Sequence, residues 1–307
     1  MSERGRLPDF LVIGAMKAGT TSLELYLDQH PQVFMSRLKE PNYFAFKEQS
    51  ISFSDAFGRP SRLNERSITD TSRYRSLFEG ARTDQKAGEI SHWYLYDPAA
   101  PGHIKNDIPD ARLIAVLRDP MERAYSEFLF HMRDGRESVS DFGEALDLEL
   151  ERIAAGCDDG RYVDRGLYHA QLSRFFELFP REQIRVYLFE DLRDDPAALI
   201  RDLYSFIDVD PSVQPDTSVS RNISGIPKSM GMQRLLRAVV WQEGLREAVR
   251  RTPLGRPLQK LYADASRRNL SRPPLPPQHR ERLRAAFKDD VVKLQGLIDR
   301  DLTAWLG

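Results

Sequence analysis

The stretch FLVIGAMKAGTTSLELYLDQH, Phe10 to His30, constrains the fold of this chain more than any other. Phe10 to Ala15 is apolar at consecutive positions, the pattern of a parallel strand buried on both faces. A glycine-bearing turn follows, then a helix that sets Leu23, Tyr26 and Leu27 on one side. A strand that ends in a glycine turn and a helix N-terminus offers unpaired N–H groups to an anion. The order is not that of a triphosphate loop, G-x-x-x-x-G-K-[ST]. Gly14 and Gly19 keep the spacing, but Thr20 stands at the lysine position and Lys17 comes earlier. The dinucleotide signature G-x-G-x-x-G is absent. Ala18, Gly19, Thr20, Thr21 and Ser22 therefore form a candidate anion cradle, with Lys17 projecting from the turn.

Further along, QVFM (Gln32–Met35) reads as a short strand and KAGEIS (Lys86–Ser91) as another. Residues 48–80 carry no clean period and read as loop and short helices. ARLIAVLRDPMERAYSEFLFHM holds a second strand-to-helix unit, with its strand at Leu113–Leu117. Asp119 fits the N-cap, Pro120 the first helical position and Glu122 the capping-box position. Met121, Tyr125, Phe128 and Met132 form one stripe, and Ser126 is turned from it toward the side of Asp119 and Glu122. A helix from about Leu167 to Phe179, a strand at Ile184–Phe189, a helix after Pro196 and a final helix from Pro277 to Ile298 complete the series. In that last helix Leu283, Phe287, Val291, Leu294 and Ile298 keep helical register. Repeated strand–helix alternation predicts an α/β, P-loop-like three-layer fold, its central mostly parallel sheet flanked by helices. We expect one domain over 1–307, with a basic helical section from about 221.

That section, Arg221 to Arg272, has twelve Lys and Arg against three Asp and Glu. The whole chain balances 45 basic with 46 acidic residues, which gives no general preference for nucleic acid. One cysteine, Cys157, excludes an internal disulfide and a cysteine-based metal cluster. MSERGRLPDF enters the first strand without an apolar signal core, so the expectation is cytoplasmic, with peripheral membrane contact left open.

GAMKAGTTSL resembles the 5'-phosphosulfate signature of sulfotransferases that use 3'-phosphoadenosine 5'-phosphosulfate (PAPS). VLRDPMERAYSEF resembles their 3'-phosphate motif, and Arg118 and Ser126 fall on its arginine and serine. The two motifs stand about a hundred residues apart, as in that family. KEPNYF (Lys39–Phe44) and GEISHWYL (Gly88–Leu95) are similar to segments of its heparan-type and bacterial branches. RNISGIPKS (Arg221–Ser229) resembles the late loop that closes over the nucleotide, and the C-terminal FKDDVVKLQGLIDRDLTAWL is similar to the family's end.

The resemblance implies a sulfotransferase that moves the sulfuryl group of PAPS to an acceptor hydroxyl, with a carbohydrate or glycolipid ranked first and a small-molecule or lipid alcohol or phenol second. It implies that the Lys17 turn holds the phosphosulfate and that Arg118 and Ser126 face the 3'-phosphate, with Arg221, Asn222 and Lys228 of the late loop as weaker assignments there. An arginine clamps phosphate with two parallel hydrogen bonds. Lys17 is the candidate stabiliser of the leaving phosphate, and Lys39 borders the sulfate. Glu89 is the candidate base. Relatives often have Lys or a small residue after the glutamate, then Ser/Thr-Pro, where this chain has Glu89, Ile90, Ser91, His92, so His92 is a rival, histidine being the side chain suited to proton transfer near neutral pH. His131 ranks below both, and Trp93 and Tyr94 could equally line the acceptor pocket or fill the core. No His/Asp/Glu spacing suggests a metal, and the chemistry is expected to need none. Two other readings remain at this point: a nucleoside-triphosphate enzyme, and a non-catalytic adaptor whose basic section meets an anionic glycan or membrane.

Overall fold

Five parallel strands form the central sheet in the order β2-β3-β1-β4-β5. They are β1 (Phe10–Gly14), β2 (Val33–Met35), β3 (Lys86–Ile90), β4 (Arg112–Leu117) and β5 (Ile184–Leu188). The computed structural model describes residues 5–217, 226–227 and 270–307. Every residue of β1 is buried, as its unbroken apolar run requires of a central strand. From β1 the chain skips one place to β2 and returns to fill the gap with β3. It then crosses to the other side of β1 with β4. That reversal opens a crevice at the carboxyl end of β1, where α/β sheets bind ligands.

Helices flank the sheet and meet it through their apolar stripes. In the helix Thr20–Leu27 the buried set includes Leu23, Tyr26 and Leu27. The final helix, Pro277–Ile298, buries the five residues read from its period. In the helix Pro120–Asp134, Met121, Tyr125 and Phe128 are buried, and Asp119 caps it by accepting from the N–H of Met121 at 2.9 Å. One expectation fails here. Glu122 does not act as a capping-box residue for that helix. Its carboxylate accepts from Arg272 at 2.7 Å and Arg280 at 2.6 Å, because charge-assisted bonds to two guanidinium groups outweigh one to a backbone N–H.

Residues 48–80 contain two short helices, Arg62–Arg66 and Thr71–Ser76. The reading of the sequence has no counterpart for the antiparallel pair β6 (Ile226–Pro227) and β7 (Leu270–Ser271). Arg221, Asn222 and Lys228 lie outside the described residues. Among the described residues no helix is long and apolar enough to cross a membrane.

Candidate active site

The turn after β1 is built to leave a helix end open. Lys17 has φ 66° and Gly19 φ 93°, both in the left-handed region. A Cβ on Gly19 would sit 2.7 Å from Leu192 Cδ2, so both space and backbone call for glycine there. The helix that starts at Thr20 has no side-chain cap and no acidic residue in its first turn. Its N-terminal partial positive charge is therefore offered to a ligand. Ala18, Thr20 and Ser22 are buried in the cradle. Lys39, from the loop after β2, reaches the same helix end: its amine donates to Thr21 Oγ1 at 2.6 Å and pairs with Glu24 at 3.0 Å.

Arg118 ends β4 next to this turn. Its guanidinium donates to the carbonyl of Lys17 at 3.1 Å and stacks 4.7 Å over the Phe189 ring. The nearest Glu122 oxygen is 4.0 Å away, too far for a locked pair. The two motifs, a hundred residues apart in sequence, thus touch in space. Ser126 is fully buried on the Pro120–Asp134 helix. Burial, and then repulsion from Arg272, draws Arg118 down to about 10. Burial also draws Lys17 down to about 7; Arg133 and Arg118 add to the fall, while Glu127 and Asp134 oppose it. Burial and neighbouring cations lower both groups, and an anion between them would favour their charged forms. The donor set fits a ligand with two anionic ends.

The two candidate bases sit in different surroundings. Glu89, on β3, is 1% exposed and accepts from Tyr94 Oη at 2.6 Å, Ser91 Oγ at 2.8 Å and Tyr74 Oη at 3.0 Å. Burial pushes its carboxyl up to about 7 against those three hydrogen bonds. His92 follows β3 and places Nδ1 3.2 Å from Glu40, whose side chain keeps a quarter of its surface in solvent. Burial alone would raise the Glu40 carboxyl, but His92, Lys39 and Arg66 together hold it at about 2. Lys39, Glu40 and His92 thus gather beside the open helix end, and Glu89 lies sealed behind them.

A chain of hydrogen bonds joins these layers. Ser91 donates to Glu89 and accepts from the Asn42 N–H at 3.0 Å, while the Asn42 side-chain amide donates to the Glu40 carbonyl at 2.9 Å. Glu40 and Asn42 both have left-handed backbones, φ 56° and 52°. The loop is therefore strained and pinned from below.

Glu40, the partner of His92, was given no role in reading the sequence, although it stands inside the quoted KEPNYF. Nothing in the sequence shows that it meets His92. Trp93 packs against Phe46 and Phe53, and Tyr94 is spent on Glu89, so both belong to the core. His131 is fully buried 3.3 Å from Asp159, and burial drives it down to about 3, which leaves it a neutral interior residue. Cys157 is buried as well. Among the described residues no group of three His, Cys, Asp or Glu could hold a metal ion.

Residues 8–213 match the model of a family described as the sulfotransferase family. The human bifunctional heparan sulfate N-deacetylase/N-sulfotransferase 3 is 29% identical over 224 residues, 67% of this chain and 23% of that protein. Human carbohydrate sulfotransferase 15 is 26% identical over 249 residues, again 67% of this chain and 44% of the relative. The chain thus spans less than half the length of these curated relatives. A crystal structure of a sulfotransferase from Alicyclobacillus acidocaldarius superposes with a TM-score of 0.74 at 32% identity, covering 98% of this chain and 99% of the other.

Proposed function

Since this chain belongs to the sulfotransferase family, we propose that it transfers the sulfuryl group of PAPS to a hydroxyl of a carbohydrate, with His92 as the base. PAPS supplies the sulfuryl group on an activated phosphate. Lys17 and the open Thr20 helix end receive the phosphosulfate, and Arg118 with Ser126 the 3'-phosphate. The Lys17 ammonium steadies the negative charge that grows on the departing phosphate, a preorganised term that commonly contributes several kcal/mol. Lys39, bonded to Thr21 at 2.6 Å, faces the sulfuryl oxygens. His92 takes the acceptor proton, and the carboxylate of Glu40 stabilises the imidazolium that results. The pair works as an oriented base does in other acyl and phosphoryl enzymes.

The observation that carries this reading is the 3.2 Å His92–Glu40 pair beside Lys39, set against a Glu89 that is buried and engaged by three hydroxyl donors. A carboxylate 1% exposed and already accepting three hydroxyl hydrogen bonds is a poorer receiver for an acceptor proton than a histidine at the crevice. We therefore move the base from Glu89 to His92 and give Glu89 the task of pinning the Glu40–Asn42 loop. Sugar acceptors are favoured because two relatives are named for heparan sulfate and carbohydrate sulfation.

The test is transfer from [³⁵S]PAPS to a panel of uronic-acid glycans, N-unsubstituted glucosamine oligosaccharides, glycolipids and phenols, with ATP as the competing donor. His92→Ala is expected to lose about 10²- to 10⁴-fold in kcat. Glu89→Gln is expected to keep the wild-type pH limb of kcat at a lower rate. Loss of that limb in Glu89→Gln, with His92→Ala near wild type, would return the base to Glu89. Label transfer to phenols alone would remove the carbohydrate assignment.

A further inference from the structure

The Lys17 amine lies 4.1 Å from the centroid of the Phe130 ring, and the Arg133 guanidinium lies 4.8 Å from the same ring. Phe130 is half-buried on the Pro120–Asp134 helix, one turn beyond Ser126. Residues four apart share a helix face, so the ring and the 3'-phosphate serine are presented side by side. Beneath them Glu127 is fully buried and held by two guanidinium groups, Arg123 at 2.6 Å and Arg165 at 2.7 Å. Arg165 also sits 3.3 Å from the sulfur of Met16, the residue before Lys17. The helix thus carries the ring against Lys17 and, through Glu127 and Arg165, is linked to Met16 beside it.

We propose that Phe130 is a positioning residue that seats the Lys17 ammonium in the donor-free enzyme and hands it to the leaving phosphate on binding. This inference rests on the role given to Lys17 above. An aromatic face attracts the ammonium and ignores the neutral amine. Such a seat is useful here because the lysine is crowded by like charges. Arg133 acts from the same helix and Arg118 from the end of β4, while Glu127 and Asp134 counter them. His131 is neutral, and Arg165 faces Met16 rather than the amine. Without the ring, one attraction that favours the charged form disappears and the repulsions stay.

The test reads the binding of adenosine 3',5'-bisphosphate by calorimetry across pH, without acceptor or turnover. In the wild-type protein affinity falls as the free Lys17 loses its proton above about pH 7. Phe130→Leu is expected to move the onset of that fall down by about half a pH unit, and Phe130→Tyr to restore it. Lys17→Met is expected to abolish the fall. Phe130 is partly exposed, so the leucine variant is expected to fold, as near-unchanged thermal unfolding would verify. A purely packing role for Phe130 would weaken binding equally at every pH. A folded Phe130→Leu with an unmoved onset overturns the proposal. Turnover of Lys17→Met is measured separately: wild-type kcat there would overturn the leaving-group role of Lys17, whatever Phe130 does.

Discussion

Glu89 behaves as a buried acid whose proton depends on the fold. Its carboxyl rises to about 7 from an ordinary 4.5 because burial penalises the charge more than three hydroxyl donors relieve it. A raised value means that the folded chain keeps a proton the unfolded chain releases. The stability so contributed is fully present below about pH 4.5 and is lost as pH rises through 7. Wild-type protein is therefore expected to lose more thermal stability than Glu89→Gln between about pH 5 and pH 7.5, as differential scanning calorimetry would record. Equal losses in the two proteins would show that Glu89 is charged throughout. The residue also illustrates what the sequence could reveal. Its place after Gly88 on a strand end was legible, but its three hydroxyl partners come from positions 74, 91 and 94, and only folding brings Tyr74 to it. His92 was legible as a rival base, whereas Glu40, its partner across fifty-two positions, was not.

The element on which the site leans most is the β3–β1–β4 core of the sheet. Phe10 of β1 faces Gly88 of β3, and a Cβ on Gly88 would meet the ring at 2.2 Å. A methyl group there must displace a ring that is fully buried. Gly88→Ala is expected to destabilise the fold by about 1–3 kcal/mol, the usual cost of overpacking. Urea unfolding would measure it, and Phe10→Leu in the same background is expected to recover part of the loss. Strand existence was readable from apolar runs, because consecutive burial on both faces leaves a composition signature. The ends of these elements were read to within one residue for β1, β2, β3 and β4. Short helices between 48 and 80 were expected but not placed, since segments of five or six residues carry too little period to fix their ends. The same limit hid β6 and β7, each two residues long.

At the scale of the whole molecule, the Pro120–Asp134 helix is tied to the C-terminal segment through Glu122. Its carboxylate is shared by Arg272 and Arg280, which lie at either side of the start of the last helix. The pairs are part-exposed, so each contributes little to global stability. Glu122→Gln is expected to shift thermal unfolding by no more than a few degrees, yet to speed amide exchange in the first turn of the Pro277–Ile298 helix. Unchanged exchange there would mean that packing of Leu283 and Phe287 alone fixes that helix. Arg118 lies 4.0 Å from the same carboxylate, so the tie sits beside the end of β4.

What the sequence by itself determined is the family of elements and the cationic turn. A buried parallel strand, a glycine turn and an open helix end follow from local chemistry, since each depends on neighbours within a few residues. The tertiary structure decided which charges meet. Arg118 reaches the Lys17 carbonyl, Glu40 meets His92, and Phe130 receives the lysine only because the order β2-β3-β1-β4-β5 brings four strand ends to one crevice. Pairing energies between distant residues leave no periodic trace along a chain, so partners across the crevice could be seen only once it had formed.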